Sequence, residues 1–223
     1  MHMSILVNEE DHMRLQRLEP GLQFAQAMSR LDTLEQAMED RLTFAFHEQY
    51  GYLAACPTNT GTGLRVSIMM NLSALSLTNT VDEILRPIPQ YGMTVRGFYG
   101  ENSEFLGDFY QLSNETTLGK SEQQIIDELD HVARQIVKQE ENSRANLFEK
   151  NRVKVEDVIW RAFGYLTHAR LIPSREALKQ LSRIRLGIDR DMFPGLTHVE
   201  LSQLMIAIQP AHLAQGRDDD DEE

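Results

Sequence analysis

Three short segments hold the residues best suited to chemistry: Asn8-Glu9-Glu10-Asp11-His12-Met13-Arg14, Cys56-Pro57-Thr58-Asn59-Thr60-Gly61-Thr62-Gly63-Leu64-Arg65, and Arg96-Gly97-Phe98-Tyr99-Gly100-Glu101-Asn102-Ser103-Glu104. Each supplies an arginine, two supply carboxylates, and the middle one holds the only cysteine. A guanidinium matches phosphate oxygens and carboxylates alike through its planar fork of donors. Together the segments are equipped to grip a polyphosphate and a guanidinium at once, which is what phosphorylating an arginine requires.

Glu9, Glu10 and Asp11 repel one another, so nearby cations, a bound metal or water must offset them. Taken alone they read as a solvated turn capping the next helix. Taken with the other segments, one carboxylate would accept two hydrogen bonds from a guanidinium and remove its proton, while Arg14 faces phosphate. A lone cysteine is ordinarily a small buried hydrophobe. The loop after Cys56 argues for more: its glycines let backbone N–H groups approach an anion, and Thr58 could donate a hydrogen bond to a thiolate. Such a thiolate would orient a guanidinium electrostatically without attacking it. No Lys-Ser/Thr pair follows the second glycine, so this is not a Walker A loop, and phosphate binding in this stretch rests on Arg65. Arg96, with Gly97 and Gly100 allowing close approach, adds a second cation, and Glu101 and Glu104 complete the set. No residues are assigned to a metal. A thiol hydrolase built on Cys56 and His12 lacks an identifiable orienting partner or oxyanion hole.

Composition bounds what can position these groups. A chain of 223 residues, 41% hydrophobic and 25% charged, can bury one sizeable core and a small second unit. Its formal net charge of -12 argues against a protein whose task is to hold nucleic acid through phosphates. One cysteine makes no intramolecular disulfide, and no signal-peptide pattern opens the chain, so the cytoplasm is expected. The apolar stretch Leu64 to Leu77 is interrupted by Arg65, Asn71 and serines, so neither a membrane span nor a membrane partner is expected.

Hydrophobic periodicity predicts a strand over Ser4 to Val7 and a helix over Gly21 to Asp40, the latter carrying Leu22, Met28, Leu31, Leu34 and Met38. Strands follow over Leu42 to Phe46, Tyr52 to Ala55 and Leu64 to Leu72, then a helix over Thr80 to Leu85 and a strand pair over Met93 to Tyr99 and Phe105 to Leu112. Short connections between consecutive strands favour an antiparallel sheet. Ser121 with Gln124 starts a long helix striped by Ile125, Ile126, Leu129, Val132, Ala133, Ile136 and Val137. Beyond Lys150 only helices are read: Val153 to Thr167, one entered through Ser174, and one opened by the capping box Thr197 to Glu200. The fold class is α+β, an antiparallel β-sheet flanked by helices with a C-terminal all-α extension. The divisions are a catalytic body over 4–149, a helical extension over 150–214, and an acidic, disordered tail over 215–223.

The acidic motif with Arg14, the cysteine run ending in Arg65, and Arg96 through Glu104 resemble the signature segments of the phosphagen (guanidino) kinases. Arg65-Val66-Ser67-Ile68-Met69 and Arg96-Gly97-Phe98-Tyr99-Gly100-Glu101 are most similar to the nucleotide-binding segments of the bacterial branch, the McsB-type protein arginine kinases. Leu112-Ser113-Asn114 and Leu118-Gly119-Lys120-Ser121-Glu122 continue the likeness. So do the helices from Val153 to Gln209, which small-guanidine kinases lack.

The resemblance implies a glutamine synthetase-like catalytic domain that transfers the γ-phosphoryl group of MgATP to arginine residues of proteins. Arg14, Arg65 and Arg96 would bind the ATP phosphates, with Val66, Ser67, Ile68, Met69, Gly97, Phe98, Tyr99, Gly100 and Glu101 lining the nucleotide. Glu10 would orient the guanidinium and act as base, Cys56 would assist, and Glu101 or Glu104 would supply a second carboxylate. Tyr99 stands where small-guanidine kinases carry another arginine. The branch also implies a stress-response role, with an activator protein and Clp-type protease machinery as partners. The apolar faces expected on the helical extension make a homodimer a further expectation. Its members carry a further N-terminal region with additional ATP-binding arginines, unmatched here, so weak or absent activity is expected of this chain alone. Arg217-Asp218 runs into further acids where the branch has an Arg-Asp-x-x-Arg-Ala phosphoarginine pocket, so activation through that pocket is not expected. The alternative is a non-catalytic nucleotide- or arginine-binding regulatory module with the kinase fold.

Overall fold

The computed structural model describes residues 2–98 and 105–218, with the side chains of His2 and 215–218 left aside. Strands β1 (His2–Val7) and β2 (Met13–Leu18) form an antiparallel hairpin whose register pairs His2 with Leu18 and Val7 with Met13. The acidic motif is the turn of that hairpin, with Asn8 at φ 53° and its N–H donating to the His12 carbonyl at 3.0 Å. Asparagine tolerates this left-handed conformation better than most residues. The hairpin's second strand was not anticipated from the sequence.

Helix α1 (Phe24–Glu39) follows; Met28, Leu31, Leu34 and Met38 on its predicted stripe are half-buried. Strands β3 (Phe46–His47) and β4 (Gly51–Tyr52) make a short antiparallel pair, so only the end of the strand expected over Leu42 to Phe46 is extended and paired. A 3₁₀ turn over Pro57–Asn59 comes next. Strand β5 (Ser67–Asn71), helices α2 (Ser73–Leu77) and α3 (Val81–Leu85), and strands β6 (Met93–Arg96) and β7 (Phe109–Asn114) complete the body, with sheet order β5-β7-β6.

Helix α4 (Glu122–His168) begins at the predicted capping box: the Ser121 N–H donates to Gln124 Oε1 at 2.8 Å, and the Gln124 N–H to Ser121 Oγ at 3.2 Å. Near the expected division at 150 the chain does not leave the helix but breaks its geometry at Asn151 (φ −134°, ψ 28°). Helices α5 (Ser174–Ile188), α6 (His198–Ala207) and α7 (Pro210–Asp218) follow. The reciprocal Thr197–Glu200 capping box is present at α6. Helix α7 carries backbone helix through the first four residues of the segment read as a disordered tail. Pro210 suits a first turn, and Ala211, Leu213 and Ala214 are good helix formers.

The chain divides into two compact units, the described parts of Met1–Ile68, Arg86–Val95 and Gln111–Ile136, and of Met69–Leu85, Arg96–Tyr110 and Val137–Glu223. In the first, Ile88, Met93, Leu112 and the α4 stripe from Ile125 to Ile136 are buried. In the second, a core cluster joins Ala74, Val155, Ile159, Leu178, Leu181, Phe193 and Leu201. Glu140 is buried there because its carboxylate is fully used: Oε1 accepts from the Ala74 N–H at 2.9 Å and from Arg144 Nε at 2.7 Å, and Oε2 from the Leu75 N–H at 3.0 Å. A buried carboxylate persists only with such partners. Among the described residues no helix is long and apolar enough to cross a membrane.

Candidate active site

The first unit brings two of the three chemical segments together. Asp11, half-buried in the hairpin turn, accepts the Ala55 N–H at Oδ1 (2.6 Å) and Asn59 Nδ2 at Oδ2 (2.8 Å). The same Asn59 nitrogen lies 3.4 Å from Glu10 Oε2. Residues flanking Cys56 on both sides are thus bonded to the acidic turn. Burial pushes the Asp11 carboxyl up, but the Asn59 amide and the N–H groups of Ala55 and Cys56 outweigh it and hold the group below the usual aspartate range. Glu9 is likewise held low, first by the Glu10 N–H and then by Arg14. Arg14, in β2 opposite Leu6, is exposed and reaches Glu9 Oε2 through Nη1 at 3.1 Å.

Cys56 is half-buried at the start of the 3₁₀ turn, its Sγ 3.0 Å from the Thr58 hydroxyl as the Cys-x-Thr spacing suggested. The far side of the loop is fixed by Thr117, whose hydroxyl lies 2.9 Å from the Thr58 carbonyl and 2.7 Å from that of Thr60. Gly61 sits at φ 121°, and a Cβ there would stand 2.3 Å from the Thr117 carbonyl oxygen, so this position excludes any side chain. One expectation changes. The N–H groups of Asn59, Thr60, Gly61, Thr62 and Leu64 all donate within the protein, to Cys56 O, Pro57 O, Tyr52 O, Thr117 O and Thr62 Oγ1. Those amides are committed to shaping the loop and are not offered to an anion.

Arg65 is exposed just before β5, its backbone bracketed by one side chain: Asn114 Nδ2 donates to the Leu64 carbonyl at 3.0 Å, and the Val66 N–H donates to Asn114 Oδ1 at 2.7 Å. Ser67 Oγ accepts from Gln111 at 3.2 Å, and Ile68 is half-buried. Met69, Arg96, Gly97 and Phe98 belong to the second unit; Met69 is exposed, Gly97 is buried, and Arg96 ends β6 half-buried. Phe98 packs edge-on against Phe109 with ring centroids 5.6 Å apart. Tyr99, Gly100, Glu101 and Glu104 lie outside the described residues. Asn59 and Asn114 stand in segments that carry the resemblance but were given no role by the sequence, and Thr117 was not singled out at all. Their partners lie 48 to 59 positions away, beyond any local pattern.

This arrangement bonds an acidic turn to the loop that carries a thiol, with exposed arginines in β2 and just before β5. The family described as ATP:guanido phosphotransferase, C-terminal catalytic domain, matches residues 1–143. The chain belongs to this family. The description of the protein-arginine kinase McsB C-terminal domain matches residues 152–221. Among curated relatives, the protein-arginine kinase of Halothermothrix orenii is 48% identical over 211 residues, covering 95% of this chain and 60% of that protein. That of Bacillus subtilis is 46% identical over 213 residues, covering 96% and 59%. The chain therefore spans about 60% of the length of these relatives. A crystal structure of lombricine kinase superposes with a TM-score of 0.56 at 30% identity, over 65% of this chain and 40% of the other. A duplicated taurocyamine kinase from Schistosoma mansoni gives 0.54 at 26%, over 70% and 23%. In this member of the family the mixed helical and antiparallel fold follows that of guanidino kinases, and residues 152–221 match the C-terminal domain described for protein-arginine kinases.

Proposed function

We propose that this chain is the catalytic part of a protein arginine kinase, transferring the γ-phosphoryl group of ATP to the guanidinium of arginine residues in proteins. The observation that carries the reading is the joining of the acidic turn to the cysteine loop, which sets Glu10 and Cys56 on one bonded scaffold. Membership in the guanido phosphotransferases and the names of the relatives support it.

A guanidinium is protonated at neutral pH and is not nucleophilic, so the acceptor must lose a proton as it attacks. In the proposed reaction Glu10 holds the guanidinium and takes that proton. The freed nitrogen lone pair forms the N–P bond while the bond from the γ-phosphorus to the bridging oxygen breaks, and ADP leaves with that electron pair. Cys56, near the Thr58 hydroxyl, orients the guanidinium electrostatically, and Glu101 or Glu104 adds a second carboxylate. Arg14, Arg65 and Arg96 are proposed for the phosphates, with Val66 to Met69 and Gly97 to Gly100 along the nucleotide. Exposed guanidinium groups at Arg14 and Arg65 fit a polyphosphate. Mg²⁺ would supply charge neutralisation on the phosphates. The catalytic segment is proposed as 4–149 and the helical extension as 150–214, in line with the two family matches, and the cytoplasm as the setting.

The test is incubation with MgATP and an arginine-rich protein, with free arginine beside it, read by mass spectrometry under conditions that preserve the acid-labile N–P bond. Phosphoarginine on the protein, lost in Glu10→Gln, supports the reading. Phosphorylation of serine or of free arginine alone overturns it.

A further inference from the structure

We propose that Asn59 is a positioning residue that sets Glu10 against Cys56; this rests on the kinase reading for its chemistry but not for its geometry. Asn59 closes the 3₁₀ turn that begins after Cys56, and its own N–H is bonded back to the Cys56 carbonyl at 3.0 Å. Its backbone is therefore fixed to the cysteine. Its side-chain amide has two hydrogens on one nitrogen, and that nitrogen faces two consecutive carboxylates, Asp11 at 2.8 Å and Glu10 at 3.4 Å. A donor shared between adjacent like charges offsets the repulsion that would otherwise drive them apart.

The geometry distinguishes the two acids. Asp11 is held at both oxygens, one on Asn59 and the other on the Ala55 N–H, the residue just before Cys56. It acts as the strut that holds the turn. Glu10 is exposed, and its longer contact with Asn59 leaves it carboxylate capacity for a substrate guanidinium. Thr117 braces the opposite side of the same loop through the Thr58 and Thr60 carbonyls, and the Ala55 N–H ties its entry to Asp11, so Asn59 is the side chain that joins the loop to both acids. Asn59 thus sets the spacing between the proton acceptor and the thiol. No other residue type supplies a short, neutral side chain with two donors on one atom except its homologue glutamine, whose extra methylene displaces the amide.

The single cysteine makes this measurable without any turnover. The experiment follows iodoacetamide alkylation of Cys56 in the parent, Asn59→Ala, Asp11→Ala and the double variant, with melting temperatures to confirm that each is folded. Asn59→Ala is expected to raise the alkylation rate roughly fivefold, the equivalent of one hydrogen bond, and Asp11→Ala, which also releases the Ala55 N–H, by at least as much. The double change should add nothing, because both remove the same strut. Asn59→Asp, which keeps size but loses the donor, should match or exceed Asn59→Ala, and Asn59→Gln should fall between parent and alanine. Rates within twofold of the parent in both single variants, or effects that multiply in the double, overturn the proposal. Where phosphoarginine forms, Asn59→Ala should lower kcat by on the order of tenfold to a hundredfold, the cost of a reacting group misplaced by about an ångström, with KM for ATP unchanged. An unchanged kcat overturns it. A chain that shows the non-additive alkylation but phosphorylates only serine sinks the kinase reading and leaves the positioning geometry supported.

Discussion

Asp11 and Asp108 do the same mechanical job in different units. Each is half-buried, and each ties its own loop to a residue far along the chain: Asp11 to Asn59, and Asp108 to Ser182, whose hydroxyl donates to Asp108 Oδ2 at 2.7 Å. Asn71 extends the second join, its amide reaching Ser182 Oγ at 3.1 Å and the Gly107 carbonyl at 2.9 Å. Yet the Asp11 carboxyl is held below its ordinary range, whereas burial pushes that of Asp108 up despite its bonds to serine hydroxyls. Depth of burial and the donors on offer together explain this. Asp108 lies in a turn pressed onto α5, where a Cβ on Gly107 would meet the Leu178 carbonyl at 2.9 Å. Asp11 lies in an exposed hairpin turn and receives backbone N–H groups. Apolar mass around a carboxylate, set against the number of strong donors, decides the sign. The exposed join can hold charge ready for chemistry, while the buried one mainly holds the fold.

That contrast can be broken most forcefully from the buried side. Leu178→Ala, at a fully buried position, should cost about 2–5 kcal/mol in urea unfolding. Ser182→Ala removes the donor to Asp108 and an acceptor for Asn71, and about 1–3 kcal/mol is expected by the same measurement. If either loss is under about 0.5 kcal/mol, the range of surface changes, the buried join is not structural.

The two aspartates should also respond oppositely to pH. A carboxyl raised in the folded state binds its proton more tightly there, so its contribution to stability falls as pH rises through the folded value. Asp108→Asn, at a position with φ 57° that asparagine tolerates, should therefore gain on the parent as pH rises out of the acid range and keep the gain at neutrality. Asp11 is depressed, so its contribution is present above the ordinary aspartate value and lost as pH falls through the folded one. Asp11→Asn should be the less stable protein at neutral pH, with the gap closing in acid. Thermal melts from pH 3 to 8 would show two converging pairs of curves with opposite signs; the same sign in both would end the comparison. The smallest effect belongs to Asn59→Ala, about 0.5–1 kcal/mol in the same melts, although it should move the thiol chemistry more than any of the buried changes.

Features carried by local pattern were legible in the sequence. The capping boxes at Ser121 and Thr197 and the stripe from Ile125 to Ile136 each depend on residues within a turn or two, and each is present. Strand β2 escaped because Arg14, Gln16 and Arg17 interrupt its apolar residues, and only pairing with β1 makes it a strand. In the site, the Cys56–Thr58 contact follows from adjacent residues. The Asp11–Asn59 join, the bracketing of Arg65 by Asn114 and the Thr62 N–H bond to the Thr117 carbonyl depend on tertiary approach, and no spacing announces them.

Helix α4 bears on how such chains can vary in length. The catalytic family match ends at 143 and the C-terminal one begins at 152, and the backbone between them is helix, with its irregularity at Asn151. A loop there would absorb an inserted or deleted residue. A helix converts each one into a rotation of about 100° and a translation of about 1.5 Å for everything that follows. One lost residue between Val137 and Lys150 would turn Val155, Ile159 and Ala162 away from the cluster they fill. Length change in this stretch is therefore expected to cost more stability than the same change in a surface turn.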